Sequence, residues 1–503
     1  MPENEACCRR NRSGRSGRVS AEVMERSAKA SNGSNGGTEQ QQQTTENSEL
    51  RRMLLLSIQI FAILVQEASS NDNGLAQTPP MGWRSWNQYF GDVDQLLMEQ
   101  TMEGMVDRGR FDHTNQPTSL CDLGYCDVGL DDNWQECGSP EAAPGMNYHD
   151  INGNPIVNRK RFPDLRQMTD YAHSLNLTAG WYGNNCICKD LCRNETECEM
   201  QIKADVKAFV SYGFDSWKLD GCGNENALAT FDTILRRLAD KPILVENCNW
   251  GRKQYDPDPD LPPRQGCPYN YYRSSGDIQL SYASVLSNLA SIERYRARNM
   301  SIPGCWSYPD MLQIGIRHGL TGKIGLTLSE TRSHFGAWCI VSSPLFLGHD
   351  VNDVEVTEFI WDIIANREAL EVNQAYAGDS GGVYESSPSQ VEIKYEHFAP
   401  VVGRNIIATT SKGRKLGNVE TGTAVFPSYQ YLSKPLDNGR VAVLLLNSST
   451  KETRLTADFS DIPGVSCNPC RIRNIWQHLD EGEFDDSWSI VVESRDAAFI
   501  VVE

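Results

Sequence analysis

Between residues 81 and 350 the chain repeats one phrase, a short apolar strand followed by an amphipathic helix. Strand-like runs stand at MGWRSW (81–86), YCDVGLDDNW (125–134), LTAGWYG (177–183) and DSWKLDG (215–221). Four more follow at PILVENCN (242–249), YYRSSGDI (271–278), GCWSYPD (304–310) and PLFLGHD (344–350). Between them apolar residues recur at helical spacing: Met98, Met102, Met105 and Val106, then Leu165, Met168, Ala172 and Leu175. Ile202, Val206 and Phe209 form a third stripe, and Ala229, Ile234, Leu235 and Leu238 a fourth. Eight strand–helix units predict an α/β fold, a (β/α)8 TIM barrel spanning residues 75–378. The rival, an open doubly wound sheet, lacks the glycine fingerprint it would need after a strand.

The texture changes at AGDSGG (377–382). Beyond it, VEIKYEHF (391–398), RNIIATT (404–410), AVFPSY (424–429), RVAVLLLN (440–447), SIVVE (489–493) and DAAFIVVE (496–503) are short β-rich runs split by turn residues. They predict a C-terminal antiparallel β-sandwich over 382–503, packed against the barrel.

Upstream, residues 1–52 are rich in Ser, Gly, Asn and Gln and read as a disordered extension. Two arginines and a short apolar run ending in small residues mark 53–70 as a signal peptide or signal anchor, with Met53 an alternative start. The expected address is secreted or lumenal, lysosome-like. Membrane contact is expected only if the apolar segment 53–65 stays as an uncleaved anchor. A net charge of −19 argues against nucleic acid and anionic membrane surfaces, both of which need a basic patch.

Of 16 cysteines, only Cys7 and Cys8 precede that segment; the rest form an even set in a compartment that permits disulfides. Cys186, Cys188, Cys192 and Cys198 crowd one loop, where disulfides compete with a zinc site of unusual spacing. Sequons at Asn176, Asn194, Asn299 and Asn447 agree with a glycosylated surface.

At the strand ends stand Trp86, Asp131, Asp132, Tyr182, Lys218, Asp220, Arg273 and Asp277. In DSWKLDGC, alternation sends Lys218 and Asp220 to one face and to the strand's C-terminal end, where barrel enzymes keep catalytic groups. The bland alternative is that Asp220 caps the following helix. Folding alone does not explain so many acids on one rim, because neighbouring carboxylates repel. Acids, aromatics and a few cations do suit a sugar, with two carboxyls to cleave the glycosidic bond. No metal or cofactor is called for.

LAQTPPMGWRSWN, YCDVGLDDNW, RFPDLRQMTDYAHSLNLTAGWY, DSWKLDGC, YYRSSGDI and PDMLQIG, in that order, resemble glycoside hydrolase family 27, the α-galactosidase and α-N-acetylgalactosaminidase family. The resemblance covers about residues 75–503 and implies a TIM barrel followed by an antiparallel β domain. It implies that Asp220 is the nucleophile and Asp277 the general acid/base of a retaining double displacement. It further implies that Lys218 and Arg273 contact the sugar or a carboxylate, and that Asp131 and Asp132 hold O4 and O6. Trp86 and Tyr182 would form an aromatic wall, and Met311 would line the pocket. Cys186–Cys222, Cys248–Cys267 and Cys467–Cys470 match the family's disulfides.

Two departures stand out. WSYPDML (306–312) carries Ser307 and Tyr308 where the family has Asn and Asp. In NCNWG (247–251), Asn249 replaces the Glu that reads the sugar 2-hydroxyl in α-galactosidases, and is bulkier than the small residue of α-N-acetylgalactosaminidases. Asn249 still bonds a hydroxyl, so the expected substrate is a terminal α-galactoside. The alternatives are α-N-acetylgalactosaminidase or another α-glycosidase of the family, and a non-catalytic sugar-binding protein on the same scaffold. A homodimer is left open. A carboxyl pair leads one to expect an acidic optimum.

Overall fold

The computed structural model describes residues 73–183, 186–222, 227–257, 266–319, 321–398 and 419–503. The extension at 1–52, the apolar segment at 53–70 and the run RNIIATT lie outside the described residues. Among the described residues no helix is long and apolar enough to cross a membrane.

Eight parallel strands form the expected curled sheet: β1 (Met81–Arg84), β2 (Asp127–Gly129), β3 (Thr178–Gly183), β4 (Ser216–Asp220), β5 (Leu244–Cys248), β6 (Tyr271–Arg273), β7 (Trp306–Tyr308) and β8 (Leu345–Leu347). Each pairs with the next in sequence from β1 to β7, and β8 returns to pair with β1. Between β7 and β8 the Leu312 N–H donates to the Phe346 carbonyl at 2.9 Å, and the Tyr308 and Phe346 rings pack edge to face at 5.9 Å.

The strands are shorter than the sequence runs. Trp86 already belongs to a helical turn, Trp86–Tyr89, and Asp131, Asp132 and Asp277 sit on loops beyond β2 and β6.

Helices α1 (Gln95–Val106), α2 (Leu165–Ser174), α3 (Glu195–Tyr212) and α4 (Leu228–Leu238) follow β1 to β4. The helices α5 (Tyr282–Ala290), α6 (Leu328–Ile340) and α7 (Val354–Ile364) follow β6 to β8, and α8 (Arg367–Gln374) leads out of the barrel. Between β5 and β6 the described residues hold one 3₁₀ turn, Lys253–Tyr255, rather than a helix. Most starts are capped by side chains: Asp94, Asp164, Asn194, Ser281, Asp353 and Asn366 each accept a first-turn N–H, and Thr327 with Glu330 forms a capping box. Helix α4 has no side-chain cap, so Asp220 does not serve as one. In α4 the inward stripe is Leu228, Phe231, Ile234 and Leu235, while Ala229 is exposed. Phe231 lies two residues on and points inward against Trp217 at 5.4 Å.

Strand alternation separates two environments. Trp181 and Trp217 point outward and stack with Phe209 of α3, the Phe209–Trp217 centroids lying 4.6 Å apart. Tyr182, Lys218 and Asp220 point inward.

Beyond the barrel, strands Gly382–Ser386, Tyr429–Pro435, Val441–Asn447, Ala497–Val502, Cys470–Asn474 and Leu479–Phe484 form one antiparallel sheet in that spatial order. Pairs Gln390–Phe398/Val419–Pro427 and Thr453–Asp458/Ser487–Val492 complete the antiparallel β domain. It packs on α6, where Gly336 lets Leu444 and Trp476 approach: a Cβ there would sit 2.7 Å from Leu444 Cδ1. Arg473 bridges Glu368 at 2.8 Å, and Arg495 bridges Glu330 at 2.7 Å.

Two sequence expectations are corrected. Cys267 pairs with Cys305, not Cys248, which is free and buried. Cys248 ends β5 with its side chain on the barrel-inward face, where Arg273 Nη1 donates to its sulfur at 3.4 Å, whereas Cys267 lies on the approach to β6. Asn447 is not a surface sequon: it is fully buried, and its amide donates to the carbonyls of Lys451, Val492 and Glu493. Asn176, Asn194 and Asn299 are exposed. Cys186–Cys222 and Cys467–Cys470 form as expected, joined by Cys121–Cys126, Cys137–Cys188 and Cys192–Cys198. Those pairings consume all four loop cysteines and leave no thiolates for zinc.

Candidate active site

The inward faces of β1 to β7 converge on a buried set of charges. Asp220, the last residue of β4, is 6% exposed. Its Oδ2 accepts from the Tyr182 hydroxyl at 2.8 Å and its Oδ1 from the Gly221 N–H at 2.6 Å. Burial pushes its carboxyl up to about 7; Lys218 pulls against that rise and Asp277 adds to it. Tyr182 is therefore more than an aromatic wall, since it donates directly to the candidate nucleophile.

Lys218 Nζ donates to Asp131 Oδ2 at 2.8 Å and sits 5.3 Å from the centre of the Tyr182 ring. Asp131 receives the Asp132 N–H on its Oδ1, and its own N–H donates to Ser85 Oγ at 3.0 Å. The Asp132 carboxylate takes three backbone donors: Cys186 N and Ile187 N on Oδ2 at 3.0 and 2.9 Å, and Asn133 N on Oδ1 at 2.7 Å. Burial still raises its carboxyl to about 6.

Across the barrel, Arg273 ends β6. Its Nη2 reaches Asp310 Oδ2 at 2.7 Å and Asp277 Oδ1 at 3.1 Å. Arg273 and Asp310 are buried, while the Asp277 side chain is 54% exposed at the mouth. A buried, polarised carboxyl and an exposed one are the asymmetry a nucleophile and a proton carrier need.

Asn249 is buried over Gly221, and its orientation is set by a relay. Asn247 Nδ2 donates to the Tyr255 carbonyl and Asn249 Nδ2 to Asn247 Oδ1, both at 2.8 Å. Among the described residues that leaves Asn249 Oδ1 as a buried acceptor without a hydrogen-bond partner. Met311 and Trp86 belong to a separate apolar group with Tyr271, Tyr308 and Phe346, so they flank the charged cluster. Tyr308, which replaces the family's Asp, fills the barrel interior against Tyr271 at 5.5 Å, its hydroxyl without a hydrogen-bond partner among the described residues.

Sequence reasoning missed Asp310 and Glu246. Asp310 stands in the quoted PDML stretch. Glu246 lies two residues before Cys248 on β5, the spacing that put Lys218 beside Asp220. It accepts from the Tyr271 hydroxyl at 3.2 Å, and burial raises its carboxyl while Lys218, Arg84 and Arg273 oppose the rise. Below it Arg84 pairs with Asp127 and reaches the Tyr271 hydroxyl at 3.3 Å.

A barrel carrying paired carboxyls at its strand ends, with acids and aromatics around them, is the architecture of a glycoside hydrolase. Residues 78–375 match the family model described as alpha galactosidase A, and residues 427–502 match the alpha galactosidase C-terminal beta sandwich domain. An alpha-galactosidase from Cyamopsis tetragonoloba is 28% identical over 84% of this chain and 86% of its own. An alpha-N-acetylgalactosaminidase from Rattus norvegicus is also 28% identical, over 68% of this chain and 79% of its own. Among solved structures, a GH27 β-L-arabinopyranosidase from Geobacillus stearothermophilus superposes with a TM-score of 0.64 at 17% identity, over 86% of this chain and 97% of that one. The chain belongs to glycoside hydrolase family 27, the alpha-galactosidase family.

Proposed function

We propose that the protein releases terminal α-linked galactose from oligosaccharides or glycoconjugates with retention of configuration. Asp220 attacks the anomeric carbon as Asp277 protonates the departing glycosidic oxygen, so the C1–O bond breaks and a galactosyl ester forms on Asp220. Asp277, now a carboxylate, takes a proton from water; the water oxygen attacks C1 and Asp220 leaves. Tyr182 and the Gly221 N–H stabilise the carboxylate as it departs. Lys218, Asp131 and Asp132 bind O4 and O6, Asn249 accepts from the 2-hydroxyl, and Arg273 binds the ring side near Asp277. Trp86 and Met311 close the apolar wall.

The observation that carries this reading is the doubly hydrogen-bonded Asp220 carboxylate facing the Arg273–Asp277 pair. The bulk of Asn249 favours a hydroxyl over an acetamido group at C2. Six disulfides among the described residues support an oxidising, secreted or lumenal setting.

The test compares nitrophenol release from the α-galactoside and the α-N-acetylgalactosaminide, with Asp220→Asn as control. Galactoside turnover that falls about a thousandfold or more in the variant is expected. Turnover of the acetamido sugar alone would reassign the substrate, and sugar binding without turnover would leave a lectin-like protein.

A further inference from the structure

We propose that His149 is a positioning residue for the sugar pocket, a buried imidazole pinned between two carboxylates that fixes the loop on which Asp132 depends. The proposal rests on the galactoside reading above and adds to it a residue remote from the reacting atoms. His149 is 2% exposed. Its Nδ1 lies 2.9 Å from Asp190 Oδ2 and its Nε2 3.1 Å from Asp205 Oδ1. With a carboxylate at each nitrogen, both ring nitrogens donate, which requires the imidazolium. Burial alone would neutralise the ring, but the two acids outweigh it and raise its pKa to about 10. The pin therefore stays charged across acidic and neutral pH and is not a switch.

Its two anchors lie on different elements. Asp205 belongs to α3, which packs against the outer face of β3 and β4, directly behind Tyr182, Lys218 and Asp220. Asp190 belongs to the loop after β3, and it also accepts the N–H groups of Asn147, Tyr148 and His149. Three and four residues earlier in that loop, Ile187 and Cys186 give Asp132 two of its three backbone donors. Disulfides Cys137–Cys188 and Cys186–Cys222 tie the loop at two points, and the Asp190–His149 contacts fix its continuation against residues 147–149 and α3. If the loop shifts, Asp132 loses those donors, and burial then favours its neutral form, which no longer accepts a sugar hydroxyl strongly. On the galactoside reading, with Asp131 and Lys218 taken to hold O4 and Asp132 to hold O6, the loss falls on the C6 hydroxyl and leaves the Asp220–Asp277 chemistry alone.

The experiment uses the full chain carrying His149→Gln, with Asp205→Asn as the milder variant should the first fail to fold. Kinetics on nitrophenyl α-galactoside are read together with inhibition by free galactose and by L-arabinose, the same pyranose without its hydroxymethyl group. The expected result is a rise of about tenfold in KM and in the galactose inhibition constant, with kcat and the arabinose constant moving less than about threefold. Equal losses for both sugars, or a lower Tm with unchanged KM, would overturn the proposal while leaving the galactoside reading intact. A wild-type enzyme inert toward the galactoside would overturn that reading and this one together.

Discussion

Arg273 Nη2 and Asp310 Oδ2 stand 2.7 Å apart, and the same nitrogen reaches Asp277 at 3.1 Å, so two carboxylates share one guanidinium. Asp310 also accepts the N–H of Ile278, the residue after Asp277, at 2.8 Å. It thus holds Asp277 from two sides, through the arginine and through the backbone. Asp310 does so from a left-handed conformation, φ 108°, fixed by Met311 N on its Oδ1 and Trp338 Nε1 on its carbonyl. Backbone strain of that kind persists where the surroundings over-determine it. Asp310→Asn weakens both restraints, since a neutral amide holds Arg273 less firmly and can turn its nitrogen toward the Ile278 N–H, so Asp277 is less well placed to protonate the leaving oxygen. kcat/KM is expected to fall about tenfold on an alkyl galactoside, whose leaving group needs that proton, and less than about threefold on a dinitrophenyl galactoside, whose leaving group does not. Equal losses on the two substrates would reduce Asp310 to scaffolding.

The raised carboxyl of Asp220 sets the opposite limb. Attack needs the carboxylate, so kcat/KM of the free enzyme falls as pH drops below about 7. That places the rate maximum nearer neutrality than a carboxyl pair alone leads one to expect. Lys218→Met removes the cation that opposes burial, and the acidic limb moves up by about one unit. A wild-type limb below pH 5 would contradict this. Stability carries the same sign. Between the ordinary aspartate value of 3.8 and about 7 the folded state holds a proton that the unfolded chain has released. Stability therefore falls as pH rises through that window. Asp220→Asn escapes the loss, so its Tm advantage over wild type is larger at pH 8 than at pH 4.

The eight strands were legible because each joins an alternating apolar run to a helical stripe, and both periods survive in a buried sheet. Their lengths were not. Alternation continues in sequence through Trp86, Asp131 and Asp277, although these residues have already left the ladder. Asp220 and Asp277 were legible from their strand ends and flanking motifs. The partner of Cys248 was not, because pairing depends on which side of β5 the thiol faces. Nor was the role of Tyr182, whose ring suggested stacking while its hydroxyl met Asp220. Asp310 and Glu246 carried a readable signal, an acid inside a quoted motif and an acid two residues from a strand end. What the sequence did not show was the pairing: Arg273 meets Asp310 and Tyr271 meets Glu246 only once the strands stand side by side.

The joint between the domains offers a test away from the chemistry. Lys434 is fully buried, and its Nζ donates to the carbonyls of Val372 and Asn373, at 2.5 and 3.0 Å, near the end of α8. Burial lowers its pKa to about 7, with Cys339 and Asp379 opposing. Between 7 and the ordinary 10.5 the unfolded chain binds the extra proton, so stability rises with pH across that window. Lys434→Met removes the dependence. The Tm difference, variant minus wild type, is expected to be more positive at pH 6.5 than at pH 9.5; a difference that does not change with pH refutes the assignment.

On the proposed reading, specificity at C2 is expected to turn on the Tyr255–Asn247–Asn249 relay. Each amide nitrogen is committed to the next carbonyl, so Asn249 keeps its oxygen as a buried acceptor beside Gly221, and on that reading the oxygen meets the 2-hydroxyl. A 2-hydroxyl donates to it and a 2-deoxy sugar leaves it unpaired, a difference of about 10–100-fold in kcat/KM. Asn249→Ala should erase that discrimination, lowering galactoside turnover to the level of the 2-deoxygalactoside while opening space for a 2-acetamido group. Asn247→Ala keeps Asn249 but frees its amide to turn over, so it should lose part of the same discrimination without admitting the larger sugar. Measuring both substrates on both variants gives a cycle in which enzyme and substrate deletions fail to add if Asn249 reads the hydroxyl. Additive losses would mean that the 2-position is recognised elsewhere in the pocket.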